Sequence, residues 1–228
     1  NMTKIYFQRP GASHLVCSLV YVFLLIFSEV AFSQQKVIQY DKDFVFKDGI
    51  YLSIFDFKKN NPIPTSRIVF SSNKGDKDFL KYVTEKNTLD YLDEEGKTQE
   101  VKMASVWGYC SSGSVYINHG TGFNRVTIIG SFSHFLSTIA VQTGYDPFYY
   151  TNPFGSPYPR YTYVTEQFVL DFDSGKIVEF NVNNMEALLQ KDEALYKDFM
   201  QLKKRQKRDG IFLYLRKYNE KHPVFFPE

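Results

Sequence analysis

Between Arg67 and Phe180 the chain is cut into short apolar runs by turn-forming residues, roughly every ten positions, and this rhythm constrains the fold most. Strands turn successive side chains to opposite faces, so period-two apolar spacing followed by Gly, Asn, Asp or Ser marks a half-buried strand and its turn. The clearest case is Tyr161 to Phe172. There Val164, Phe168, Leu170 and Phe172 share a face, with Glu166 the exception. Asp173-Ser174-Gly175 turns that run into Ile177 to Phe180. Trp107 to Cys110 and Val115 to Ile117 flank a hairpin loop at Ser111-Ser112-Gly113. Arg125 to Gly130 and His134 to Gln142 form another apolar pair, and Leu89 to Leu92 and Val101 to Tyr109 flank an acidic turn at Asp93 to Gly96. Ile68-Val69-Phe70 reads as a further strand, and Phe79 to Val83 as a strand or a helical turn. Such a series predicts an antiparallel meander. The 22 Phe and 17 Tyr suit it, because aromatic rings favour pleated, half-buried surfaces.

The flanks read differently. Residues 34–48 are an extended lead with apolar Val37, Phe44 and Phe46, closed by a turn at Lys47-Asp48-Gly49. Ser53, with Asp56 three positions on, forms a capping box for a short helix, and Pro62 ends it by disfavouring helical backbone at Asn61. At the other end Asn183 or Asn184 is expected to cap a helix over Met185 to Gln190. A second helix starts near Asp192, with Leu195, Phe199 and Leu202 at helical spacing, and Phe212, Leu215 and Tyr218 extend the stripe past Gly210. His222-Pro223 stops it, and Val224 to Pro227 is expected to dock on the domain. The fold class is therefore α+β: an antiparallel β-meander of six to eight strands, a short N-terminal helix and a helical C-terminal segment. Residues 34–228 make a single domain, 34–181 mostly β and 182–228 mostly helical.

Residues 1–33 read as a secretory signal peptide. Lys4 and Arg9 precede an apolar run from Leu15 to Phe27, and Ala31-Phe32-Ser33 supplies a small-residue cleavage site after Ser33. Translation is expected to begin at Met2. A membrane anchor would need about 20 apolar residues, and Glu29 interrupts this run. Cys17 lies near the start of the run, where a lipid-anchoring cysteine would not stand, so after cleavage Cys110 is alone and expected to be a buried hydrophobe.

The net charge of +2 creates no field that would gather nucleic acid. No Gly-x-Ser-x-Gly elbow, His-Glu-x-x-His pair or Cys-x-x-Cys occurs, and no cofactor is expected. Cys110 with His119 or His134 supplies the residue types of a thiolate nucleophile without any signature around them. Asp171-Phe172-Asp173-Ser174-Gly175 begins like a calcium loop but lacks its later ligands, so a hairpin turn is the better reading. Asp93, Glu94 and Glu95 are solvated turn carboxylates.

Two stretches offer contact surfaces. Asp146 to Pro159 is too Pro-rich for a sheet interior and reads as a long surface loop. Tyr145, Phe148, Tyr149, Tyr150, Phe154, Tyr158 and Tyr161 are its candidate contact residues. Lys203, Lys204, Arg205, Lys207 and Arg208 are candidates for contact with an anionic surface such as lipid head groups. On a helix they spread around the circumference, and the plainer reading is a solvated segment whose cations favour a helix C-terminus.

Three stretches carry a resemblance: Phe46 to Ser53 with Asp56-Phe57 and Asn60-Asn61-Pro62; Val106 to Cys110 with Gly113 and Tyr116; and Tyr214 to Asn219 with His222-Pro223. Together they resemble exported proteins of unknown function from Bacteroidota-type bacteria. The resemblance runs from about Asp43 to Pro227 and implies export and a single domain, with no activity to transfer. The function expected is that of a non-enzymatic binding or interaction domain of the periplasm or outer membrane. Its partner would be an envelope protein or a glycan, with peripheral membrane contact and no integral anchor after cleavage. A hydrolase with an unrecognised site is the alternative. An outer-membrane barrel fits poorly with a helical end.

Overall fold

A computed structural model describes residues 36–144 and 160–227. The leader expected at 1–33 and the whole Pro-rich loop 146–159 lie outside the described residues.

The chain opens with β1 (Val37–Gln39), β2 (Gly49–Tyr51) and α1 (Ile54–Lys58). The Ser53 hydroxyl accepts from the Asp56 N–H while the Asp56 carboxylate accepts from the Ser53 N–H, so the capping box is complete. The helix ends as expected, with Asn60 in the left-handed region at φ 46°. After α2 (Phe79–Thr84) come β3 (Thr88–Leu92) and β4 (Thr98–Lys102), then β5 (Gly108–Ser111), β6 (Ser114–His119), β7 (Gly122–Ile128), β8 (Phe132–Gly144), β9 (Arg160–Asp171) and β10 (Ile177–Glu179). The C-terminal part is α3 (Val182–Leu189), α4 (Glu193–Gln201), α5 (Lys204–Lys221) and β11 (Phe225–Pro227).

Among the described residues the main sheet has seven antiparallel strands in the order β10-β9-β8-β7-β6-β5-β2, and it is open at both edges. β3 and β4 form a separate hairpin, and β1 pairs with β11. The α+β class and the strand count agree with the sequence reading. The Ser111-Ser112-Gly113 hairpin forms with Ser112 and Gly113 both at positive φ, which a two-residue turn of this hand requires.

One sheet face carries an aromatic core. Phe57 stacks on Trp107 at 4.5 Å and on Phe46 at 5.2 Å, and Phe226 meets Phe46 and Phe57 edge-on at 5.0 and 5.5 Å. The C-terminal tail docks as expected, because burying Phe226 brings β11 beside β1. The opposite face has two caps. At the β2–β5 end, Phe79, Leu80 and Val83 of α2 and Leu89 of β3 cover Ile50 and Tyr109. At the β8–β9 end, α3, α4 and α5 cover Phe132 and Val169.

Three local expectations are corrected, and one left open between strand and helix is settled. Ile68-Val69-Phe70 makes one bridge, Ile68 to Tyr91, because a 3-10 turn at Thr65–Arg67 leads into it. Phe79 to Val83 is helical. Val101 to Tyr109 is not one strand: a 3-10 turn at Met103–Ser105 swings the chain from β4 to β5, and the Asn118 side chain holds it by donating to the carbonyls of Met103 and Val106 at 3.2 and 2.9 Å. The first C-terminal helix is capped by Asn181, whose side chain accepts from the Asn184 N–H.

The stripe from Leu195 to Tyr218 belongs to two helices. Extended backbone at Leu202 and Lys203 breaks it, and α5 runs back along α4, bringing Tyr214 to Asp198 and Lys221 to Asp192. Basic residues 203–208 therefore open α5 rather than closing a helix, where their charge opposes the dipole. Asp209 offsets this, 3.6 Å from Arg205 and 3.7 Å from Arg208.

Candidate functional site

β8 and β9 pair from Phe132–Asp171 out to Gly144–Arg160, with a bulge between Gln142 and Gly144. Their neighbours support only the inner part: β7 pairs with β8 no further than Phe135, and β10 with β9 no further than Phe168. Among the described residues, 136–144 and 160–166 therefore project as a two-stranded arm, the Phe180 N–H still reaching the Gln167 carbonyl at 2.7 Å. Its base is buttressed by the β6–β7 turn. The Thr121 N–H donates to the Thr138 carbonyl at 2.9 Å, and the Ser137 hydroxyl donates to the His119 carbonyl at 2.9 Å. Gly120 permits this approach, with φ +65° and a side-chain position already filled by Thr138 and Ser137.

An isolated two-stranded ribbon gains little stability in water. This arm also carries apolar side chains into solvent. Leu136, Val141, Tyr161 and Tyr163 are exposed, Tyr161 by 58% and Tyr163 by 69%. Of the expected contact residues, Tyr161 lies on the arm. Tyr145, Phe148, Tyr149, Tyr150, Phe154 and Tyr158 fall outside the described residues.

The basic cluster divides. Lys203, Lys204, Arg205 and Arg208 are exposed, whereas Lys207 is 8% exposed. The Lys207 ammonium donates to Glu186 Oε1 at 2.7 Å and lies 5.4 Å from the Phe199 ring, so it fastens α5 to α3 and α4. Nothing in the sequence separates it from its neighbours, since its burial follows from the α4–α5 turn.

The structure does not bring Cys110 and a histidine into a nucleophilic pair. Cys110 is fully buried, with Phe46 O at 3.9 Å and Asp48 Oδ1 at 3.6 Å as its polar neighbours. Burial first, then the Asp48 carboxylate, pushes the thiol up to about 12. The His119 ring bonds Ser137, and that of His134 lies between Thr127 at 2.8 Å and Gln167 at 3.0 Å. Burial lowers the pKa of both imidazoles.

Asp171 sits in a hairpin turn and accepts from Ser174 at 2.6 Å and Lys191 at 2.7 Å, so its carboxylate is neutralised by the chain itself. Asp93 accepts from Gln99 and from the N–H groups of Glu95 and Lys97 within its own turn. Among the described residues no group of three His, Cys, Asp or Glu is placed to hold a metal ion.

A concavity that the sequence reading missed lies between α2 and the β5–β6–β7 strands, with a volume of about 840 Å³. Tyr109 and Tyr116, directly cross-strand, stack at 4.5 Å with ring planes 4° apart, and Phe123 meets Tyr109 edge-on at 5.4 Å. Burial first, then Tyr116 and the carboxylates of Asp78 and Glu85, pushes the Tyr109 phenol up to about 12. The signal in the sequence was the pair of tyrosines flanking the Ser111-Ser112-Gly113 loop at equal depth. What hid the cleft was its far wall, which comes from a helix 30 residues earlier in the chain.

Among known proteins, the family described as "Family of unknown function (DUF6563)" matches residues 49–222, a span that holds the whole main sheet, the arm and all three C-terminal helices. No curated protein and no solved structure gives a significant match.

Proposed function

The chain belongs to the family of unknown function DUF6563, and on that premise we propose that it is an exported cell-envelope protein whose domain binds a partner and catalyses no reaction. Residues 1–33 are its signal peptide, cleaved after Ser33, and residues 34–228 its single domain, in the periplasm or at the outer membrane. Lys4 and Arg9 before the apolar run, Ala31-Phe32-Ser33 after it, and the similarity to exported Bacteroidota-type proteins support this reading. Among the described residues no helix is long and apolar enough to cross a membrane. Lys203, Lys204, Arg205 and Arg208 favour peripheral contact with anionic head groups.

The observation that carries the binding reading is the arm. Two strands that outrun their paired neighbours among the described residues, and that carry Tyr161 and Tyr163 into solvent, are costly to a chain that does not use them. A protein partner suits it best, because exposed tyrosines give large contact area with little entropy lost.

Cell fractionation with N-terminal sequencing, followed by affinity purification of the tagged protein from detergent-solubilised envelopes, tests both halves. A mature chain beginning at Gln34, accompanied by a stoichiometric envelope protein, is the expected result. A cytoplasmic chain retaining residues 1–33 contradicts export, and a mature chain that purifies alone contradicts binding.

A further inference from the structure

We propose that the cleft between α2 and β5–β7 is a binding site for a neutral oligosaccharide of two to four sugar units. This stands apart from the arm and does not depend on it.

The floor is aromatic. Tyr109 and Tyr116 form a parallel stack, Tyr109 is almost wholly buried beneath it, and Tyr116 and Phe123 remain half-exposed to the cleft. A pyranose presents a patch of C–H bonds on one face, whose slightly positive hydrogens meet the negative face of a ring. The Tyr109–Tyr116 stack holds such a surface in place, so little side-chain freedom remains to be lost on binding.

The walls are polar in a particular way. Lys77, Asp78, Lys81 and Glu85 line one side, and none of the four side chains makes an ion pair or a side-chain hydrogen bond with another among the described residues. Two ammoniums and two carboxylates sum to zero, so the cleft does not select an ion of either sign. It offers strong donors and strong acceptors side by side, which suits sugar hydroxyls, since each both donates and accepts. Ser112, Ser114 and Thr121 add hydroxyls on the opposite wall. A volume of about 840 Å³ is in the range of small-ligand sites and holds a short oligosaccharide. An apolar peptide would leave the four charged groups unpaired on burial, and an anionic chain would gain from Lys77 and Lys81 no more than it loses to Asp78 and Glu85.

The test is calorimetric titration of the full chain with cellotriose, maltotriose, chitotriose, mannotriose and xylotriose, with a trigalacturonate as the charged comparison. At least one neutral trisaccharide should bind one-to-one with a dissociation constant below about 1 mM, and the trigalacturonate should bind no more tightly. Tyr116→Ala should weaken that binding about tenfold or more. Glu85→Gln, at an exposed wall position that cannot upset folding, should weaken it about threefold with an unchanged thermal midpoint. Binding to none of the neutral sugars at 10 mM, roughly ten times that limit, would overturn the proposal. So would tighter binding of the trigalacturonate, or binding indifferent to both substitutions.

Discussion

The side-chain amide of Asn219 pairs with both backbone polar groups of Phe132: Oδ1 accepts from the Phe132 N–H at 2.8 Å, and Nδ2 donates to its carbonyl at 2.9 Å. One residue of α5 thus completes the hydrogen bonding at the start of β8 and fixes the helical layer to the sheet. Phe132 and Tyr218 stack beside it with ring centroids 3.9 Å apart. Asn219→Ala should lower unfolding stability by about 2 kcal/mol in urea titration, because two part-buried backbone groups lose their partner. Gly130→Ala should act in the same direction, since its new methyl group would lie 2.5 Å from the Asn219 amide. Changes under about 0.5 kcal/mol for both would show that the pairing is dispensable.

Lys207 and Lys204 stand three positions apart in one basic run and should behave differently. Removing Lys207 leaves Glu186 without its partner and opens space against Phe199, so Lys207→Ala should cost about 2 kcal/mol. Lys204 is exposed, and Lys204→Ala should change stability by less than about 0.5 kcal/mol. Equal effects in chemical denaturation would refute the structural role given to Lys207.

The Cys110 thiol should not react with a thiol-specific disulfide reagent at pH 8 in the folded chain. It is fully buried, and its pKa of about 12 leaves almost no thiolate. Reaction should appear only as denaturant unfolds the protein. A native thiol reacting as fast as a free one would reopen the nucleophile reading.

Stability should be level between about pH 6.5 and 8 and fall below that range. Burial depresses the pKa of His119 and His134 beneath the ordinary 6.5, so on acidification the unfolded chain takes up protons before the folded one does. Stability is then complete above the unfolded value and is lost as pH drops toward the folded ones. The loss precedes that from Asp171 and Asp192, whose pKa values lie below the ordinary 3.8: Asp171 is held there against burial by Lys191 and Ser174, and Asp192 by Lys221 and His222. His134→Gln should flatten part of the drop near pH 6, seen in thermal midpoints across pH.

What was legible in the sequence was what depends on neighbours along the chain. Ser53 and Asp56, the Ser112-Gly113 turn, and the alternation of Phe168 and Leu170 each act within a few residues, and each gave its element correctly. The Ile68–Phe70 and Val101–Tyr109 readings failed for the opposite reason. Asn118 holds the turn at Met103 from a strand 15 residues away, and β propensity carries no record of that contact. The C-terminal stripe misled because periodicity is unchanged by a break at Leu202 that preserves the apolar face of both helices. Tyr161 was found because an exposed aromatic beside a Pro-rich loop is visible in one dimension. Tyr163 bounds the expected surface, which runs from Tyr145 to Tyr163, without being singled out in it, because alternation does not tell where a strand outruns its neighbours. The cleft was hidden because its two walls meet only in the fold.

The central claim is that the β8–β9 arm is where this domain meets its partner. The most direct measurement places a photo-crosslinking amino acid at Tyr163 in cells and, as a control, at Lys97 in the exposed β3–β4 turn, then irradiates intact cells and resolves the adducts by mass. The account predicts one dominant adduct with a single envelope protein at Tyr163 and none at Lys97. Adducts absent at Tyr163, or the same at both positions, would contradict it.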